Sequence, residues 1–111
     1  MPVPQDAQLL RIFIGETDKY DGKSLAEAIV LKARETGLAG ATVLRGPMGY
    51  GQSSHLHTAK ILRLSEDMPL VIEIVDAEDK IAAFLPVIDG MIGSGLVTLE
   101  KVKVLRYGGK A

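Results

Sequence analysis

The chain of 111 residues has no cysteine, no asparagine and no long apolar run, and its charges nearly cancel. Without cysteine there is neither a disulfide framework nor a thiolate site. That suits a reducing compartment, and a cytoplasmic location is expected. Lys and Arg number 13 against 14 Asp and Glu, a formal charge of −1. This balance supplies none of the basic surface by which a protein holds nucleic acid or an anionic membrane. No stretch nears the roughly 20 apolar residues that span a bilayer, so no membrane insertion is expected. The opening Met1-Pro2-Val3-Pro4 likewise puts no basic flank before an apolar core.

What the chain does have is 47% hydrophobic residues, enough for one compact core in a length too short for two. A single domain over 1–111 is expected. Leu9 to Ile14 is an apolar, partly β-branched run ending at Gly15 and reads as the first strand. Ser24 followed by Glu27 is a capping box, and Leu25, Ala26, Ile29, Val30 and Ala33 share one helical face until Gly37 stops the pattern. Ala41 to Leu44 and Leu70 to Val75 read as strands, with a long loop from about Gly46 to His57 and a short strand at Ile61 to Leu64 between them. Asp76 reads as the cap of a second helix carrying Ile81, Ala82, Phe84 and Leu85, and Pro86 predicts a bend in it. The last strand, Leu96 to Tyr107, changes parity between Val97/Leu99 and Val102/Val104, which predicts a bulge or a switch of partner.

The order strand, helix, strand, strand, helix, strand predicts an α+β fold of the ferredoxin-like βαββαβ type, a four-stranded antiparallel sheet with two helices on one face. Its first and third strands are apolar in both phases, so each has an apolar side that neither helix reaches. Exposed Ile, Leu or Val side chains cost on the order of 1.5–3 kcal/mol each, which predicts that a second copy covers that face. Cover by the N-terminal segment and the long loop is the other solution.

Two glycine-bearing stretches are candidates for ligand contact. Gly37-Leu38-Ala39-Gly40-Ala41-Thr42-Val43 reads as helix end and strand entry, and Gly46-Pro47-Met48-Gly49-Tyr50-Gly51-Gln52 as the start of a loop. Backbone amides in such turns can approach an anion closely. Gly93-Ser94-Gly95 is a third short turn of this kind.

On these residues the chain resembles the PII-like superfamily, specifically a group of conserved prokaryotic PII-like proteins whose genes often accompany fluoride channels. The Gly37–Val43 stretch resembles the PII entry to the second strand, Gly49-Tyr50-Gly51-Gln52 the start of the mobile T-loop, and Ile72-Glu73-Ile74-Val75 the third strand. The resemblance implies a PII-like signalling domain that forms a homotrimer and binds an adenine nucleotide (AMP, ADP, ATP or cyclic AMP) in clefts between subunits. It also implies regulation of a partner, a transporter or channel, through the loop at about 46–57. Carried over by position, Gly40 and Thr42 sit at the base of the cleft and Glu73 near adenine and ribose. Gly93, Ser94 and Gly95 match the phosphate loop, and Gly49, Gly51 and Gln52 the T-loop base, where Gln52 would help hold Mg. Leu96 stands where PII has a lysine, and of two terminal PII arginines only Arg106 has a counterpart.

Two other classes can be weighed. His55 and His57 make a metal-binding trimer similar to CutA the alternative, although a structural metal site wants about four ligands and no cysteine completes it. The ferredoxin-like architecture also hosts acylphosphatase, whose chemistry needs an arginine in the loop after the first strand and a water-orienting asparagine. Here that loop reads Gly15-Glu16-Thr17-Asp18, so no enzyme activity is expected and no tightly bound cofactor.

Overall fold

A computed structural model describes residues 3–49, 57–58 and 68–109, with only the backbone described at 57–58. Four strands form one antiparallel sheet in the order β4-β7-β1-β8: β4 (Thr42–Arg45), β7 (Pro69–Asp76), β1 (Asp6–Gly15) and β8 (Leu96–Lys103). Two helices, α1 (Leu25–Glu35) and α2 (Glu78–Asp89), complete the ferredoxin-like arrangement. Four two-residue strands complete the described elements. β2 (Lys19–Tyr20) and β3 (Lys23–Ser24) are joined by Asp21 and Gly22, both at positive φ, which is the turn chemistry a two-residue hairpin requires. β5 (Met48–Gly49) pairs with β6 (His57–Thr58), so a short ladder closes the base of the loop expected at 46–57. The expected strand at Ile61 to Leu64 lies outside the described residues.

Helix α1 begins and ends as its sequence dictates. The Glu27 N–H donates to Ser24 Oγ at 3.3 Å, and Gly37, at φ 85°, closes the other end. There the N–H of Leu38 donates to Ala33 O at 3.0 Å and that of Gly37 to Arg34 O at 3.1 Å, a Schellman closure. Helix α2 departs from expectation at its start. Its N-cap is Ala77, with no side-chain cap bond, because Asp76 is engaged elsewhere. It also runs unbroken through Pro86: Ala82, whose carbonyl loses its partner there, lies with Pro86 on the exposed side, where water can take that bond.

Strand register sorts the side chains into two faces. On the helix side, rows such as Val43–Ile72–Ile12–Val97 cross the sheet, and their central members are fully buried against Ile29, Ile81, Phe84 and Ile88. The helices cover the two middle strands most fully, and Val43, Val97 and Leu99 on the edge strands remain 42%, 40% and 45% exposed. On the other face the rows read Leu44–Val71–Phe13–Leu96, then Thr42–Glu73–Arg11–Thr98, then Val75–Leu9–Glu100. An apolar band thus lies beside a polar one, and no helix of the described residues covers either. The last strand keeps one register with β1 from Asp6–Lys103 to Phe13–Leu96, without the expected bulge. Its two apolar phases serve the two faces of an edge strand in turn, and the chain leaves the sheet at Lys103, four residues before Tyr107.

Candidate functional site

The strands place a cleft of about 560 Å³, mostly apolar with a few polar groups, on the open face of the sheet. Gly40, Ala41 and Thr42 form its rim, Glu73 and Val75 its floor, and Val3 with the segment Val104 to Tyr107 its far wall. Four positions singled out in the sequence, Gly40, Thr42, Glu73 and Arg106, therefore meet in one cleft. They come from the entry to β4, from β7 and from the tail beyond β8.

The rim is held by long-range bonds. Asp76, 3% exposed, accepts from the Ala77 N–H at 2.7 Å through Oδ1 and from the Ala39 N–H at 2.9 Å through Oδ2. The carbonyl of the same Ala39 accepts from the Tyr107 hydroxyl at 2.8 Å. Ala39 is thus pinned from the start of α2 on one side and from the tail on the other. The tail is seated where it leaves β8 by the bond from the Val104 N–H to Gln5 O, 2.7 Å.

Glu73 is not a bare carboxylate. Arg11 Nε donates to its Oε2 at 2.8 Å, while Arg11 Nη1 donates to Glu100 Oε1 at 3.0 Å. The bond to Glu73 is the main reason the Arg11 pKa stands above its ordinary value. Partial desolvation opposes the shift, and the charges of Glu73 and Glu100 add to it. Arg11 is consequently a fixed cation in the middle of the open face. It was not singled out in the sequence, because its partners are 62 and 89 residues away.

Gly93, Ser94 and Gly95 lie elsewhere. They line a second cleft of about 500 Å³ between the end of α2 and the start of β8, with Leu85, Asp89, Ile92 and Val97. Val97 points to the helix side of the sheet, opposite to Thr42 and Glu73, so one chain does not bring the two groups together. Gly95 has a steric reason to be glycine, since a Cβ there would lie 2.8 Å from Phe13 O and 3.2 Å from Ile92 Cγ2. At Gly93 and Gly40, by contrast, a Cβ would meet nothing within 4 Å. Their own chain does not require glycine there. Gly95→Ala should cost about 1–3 kcal/mol, as overpacked sites do, read as a lowered midpoint in chemical denaturation. An unchanged midpoint would mean that the turn relaxes freely.

The base of the long loop is equally specified. The Gly46 N–H donates to Pro69 O at 2.8 Å, and Cβ atoms at Gly46 and Gly49 would lie 2.9 and 3.2 Å from Pro69 Cγ. Arg45 Nη2 pairs with Glu16 Oε1 at 3.0 Å beside it. In the turn after β1, the Asp18 carboxylate accepts from the Gly15 N–H at 2.9 Å and the Asp18 carbonyl from the Leu25 N–H at 2.8 Å. These groups are occupied in shaping the chain rather than in presenting a phosphate cradle. Gly51, Gln52 and His55 lie outside the described residues, as does the side chain of His57. Among the described residues no cluster of metal-ligating side chains occurs, and no helix is long and apolar enough to cross a membrane.

Comparison with known proteins agrees with this geometry. Residues 7–104 match the model of the family DUF190, described as "Uncharacterized ACR, COG1993". A UPF0166 protein of Aquifex aeolicus is 42% identical over 98 residues, 88% of this chain and 92% of that protein. Among solved structures, CPII of Thiomonas intermedia K12, a nitrogen regulatory PII-like protein bound to ADP, AMP and bicarbonate, superposes with a TM-score of 0.64. It is 18% identical and covers 91% of this chain and 90% of that one. GlnK of B. subtilis, in complex with ATP, gives 0.52 at 13% identity, covering 91% and 85%. Likeness at these identities is a likeness of fold, and the sheet order and helix placement above are what it consists of. The chain belongs to the DUF190 family and has the ferredoxin-like fold of the PII-like proteins.

Proposed function

We propose that this protein is a PII-like regulator: a single-domain cytoplasmic homotrimer without enzymatic activity that binds an adenine nucleotide between its subunits. It signals through the loop at 46–57 to a partner protein, a transporter or channel. The observation that carries this reading is the separation of the two clefts. Gly40, Thr42, Glu73 and Arg106 line one, Gly93 to Gly95 the other, on opposite sides of the sheet. A site needing both sets requires two copies, and an uncovered apolar band on the open face gives the copies a reason to associate. That PII-like neighbours of the same fold were solved with ADP, AMP or ATP supports an adenine nucleotide as the occupant. AMP, ADP, ATP and cyclic AMP are the candidates, with Mg held by Gln52 where polyphosphate is bound.

Regulation further requires that the ligand favour one loop conformer, because equal affinity for two conformers shifts nothing. The short β5–β6 ladder and the packing of Gly46 and Gly49 on Pro69 connect the loop base directly to β7, the strand that carries Glu73. A thermal-shift panel of adenine and guanine nucleotides, with light scattering for subunit number, tests the reading. A site of 10 μM affinity stabilises by about 2.7 kcal/mol at 1 mM ligand, readily seen as a raised midpoint. A monomer indifferent to every nucleotide would refute it.

A further inference from the structure

We propose that the Thr42–Glu73–Arg106 cleft prefers an adenosine ligand with a single phosphate group over the triphosphate. The inference rests on the nucleotide reading above and adds to it the class of effector. Its basis is a count of charges where a ligand would lie.

The first cleft is lined by two charged side chains, Glu73 and Arg106. Glu73 is already paired with Arg11 at 2.8 Å, and because Arg11 also holds Glu100 at 3.0 Å the three groups together keep one negative charge and offer no free cation. Arg106, exposed on the tail, forms no ion pair among the described residues. One uncommitted guanidinium remains, and its planar fork matches the oxygens of one phosphate. Around it the wall is apolar, from Val3, Val75, Val104 and Leu105, a surface that suits the faces of a base and not further charge. The second cleft, where Gly93 to Gly95 would meet any extended phosphate chain from a neighbouring copy, contributes one charged side chain, the carboxylate of Asp89. A backbone turn can still donate to phosphate oxygens there. Each phosphate beyond the first, however, adds negative charge against a carboxylate, and among the described residues that line the two clefts no further cation offsets it.

Calorimetric titration of the full chain with adenosine, AMP, cyclic AMP, ADP and ATP, first without Mg, tests this. AMP or cyclic AMP should bind at least about tenfold more tightly than ATP, the range that charge-assisted hydrogen bonds command. Arg106→Gln should lower AMP affinity by about tenfold and leave adenosine nearly unchanged, since the exposed Arg106 supports no other contact. Asp89→Asn should bring ATP closer to AMP by about two- to threefold. ATP binding as tightly as AMP without Mg, or Arg106→Gln weakening adenosine and AMP equally, would overturn the charge inference and leave the nucleotide reading standing. Failure of all five compounds to bind at millimolar concentration would overturn both.

Discussion

Asp76→Ala is expected to destabilise the fold by about 3 kcal/mol, because hydrogen bonds to a charged group contribute about 1.5–3 kcal/mol each and two are lost. Asp76 is 3% exposed, and its two oxygens accept from Ala77 and Ala39, so the alanine variant leaves two backbone N–H groups poorly satisfied. The effect should not stop at stability. Ala39 leads directly into Gly40 and Thr42, and with Asp76 gone Ala39 itself keeps its bond to Tyr107 at 2.8 Å while Thr42 stays paired with Glu73 across β4 and β7. Nucleotide affinity measured below the unfolding transition should therefore fall as well. Asp76→Asn is the informative control, since its amide keeps one acceptor but turns a donor toward an N–H, and it should lie between the two. Full stability of the alanine variant in chemical denaturation would show that the bridge across 37 residues of chain carries little.

Val71→Glu should abolish assembly. Val71 sits mid-sheet in the row Leu44–Val71–Phe13–Leu96, on the face no helix covers, and it is half-buried within one chain. A carboxylate there would be desolvated without a partner at the centre of a contact between copies, at a cost of about 3–5 kcal/mol. Arg11 is the nearest cation in register terms, but it already holds Glu73 and Glu100. Light scattering at micromolar concentration should show a folded monomer. The same size as the unsubstituted protein would mean that this face is not the contact surface.

Local chemistry was readable in the residues, and distant partnerships were not. The capping box at Ser24 and Glu27 and the closure at Gly37 follow from spacing alone, and the order of strands and helices led to the four-stranded antiparallel sheet with two helices. Asp76 was misread because an acidic residue just before a helix looks like a cap, while its acceptor role toward Ala39 depends on where another segment arrives. Arg11 carried no local signal for the same reason. In β8 the parity change predicted a bulge. Edge position explains it instead, with Val97 and Leu99 on one face and Val102 on the other in unbroken register. At Pro86 the helix continues, because the carbonyl that the proline deprives, that of Ala82, lies on the exposed side. The candidate site was half legible. Resemblance named the stretches, and the folded chain adds that Gly93–Gly95 and Thr42 with Glu73 line two separate clefts.

That separation is most directly tested by mixing. Thr42→Glu spoils one cleft and Gly93→Asp the other. Both positions are exposed, and a Cβ at Gly93 meets nothing within 4 Å, so each variant should fold and assemble while losing nucleotide. Unfolded together in equal amounts and refolded, the two should recover about a quarter of the binding sites, the fraction of clefts in a cyclic assembly that receive an intact half from each neighbour. Nucleotide binding that stays absent in the mixture, while each variant assembles with its normal size, would contradict a site shared between subunits.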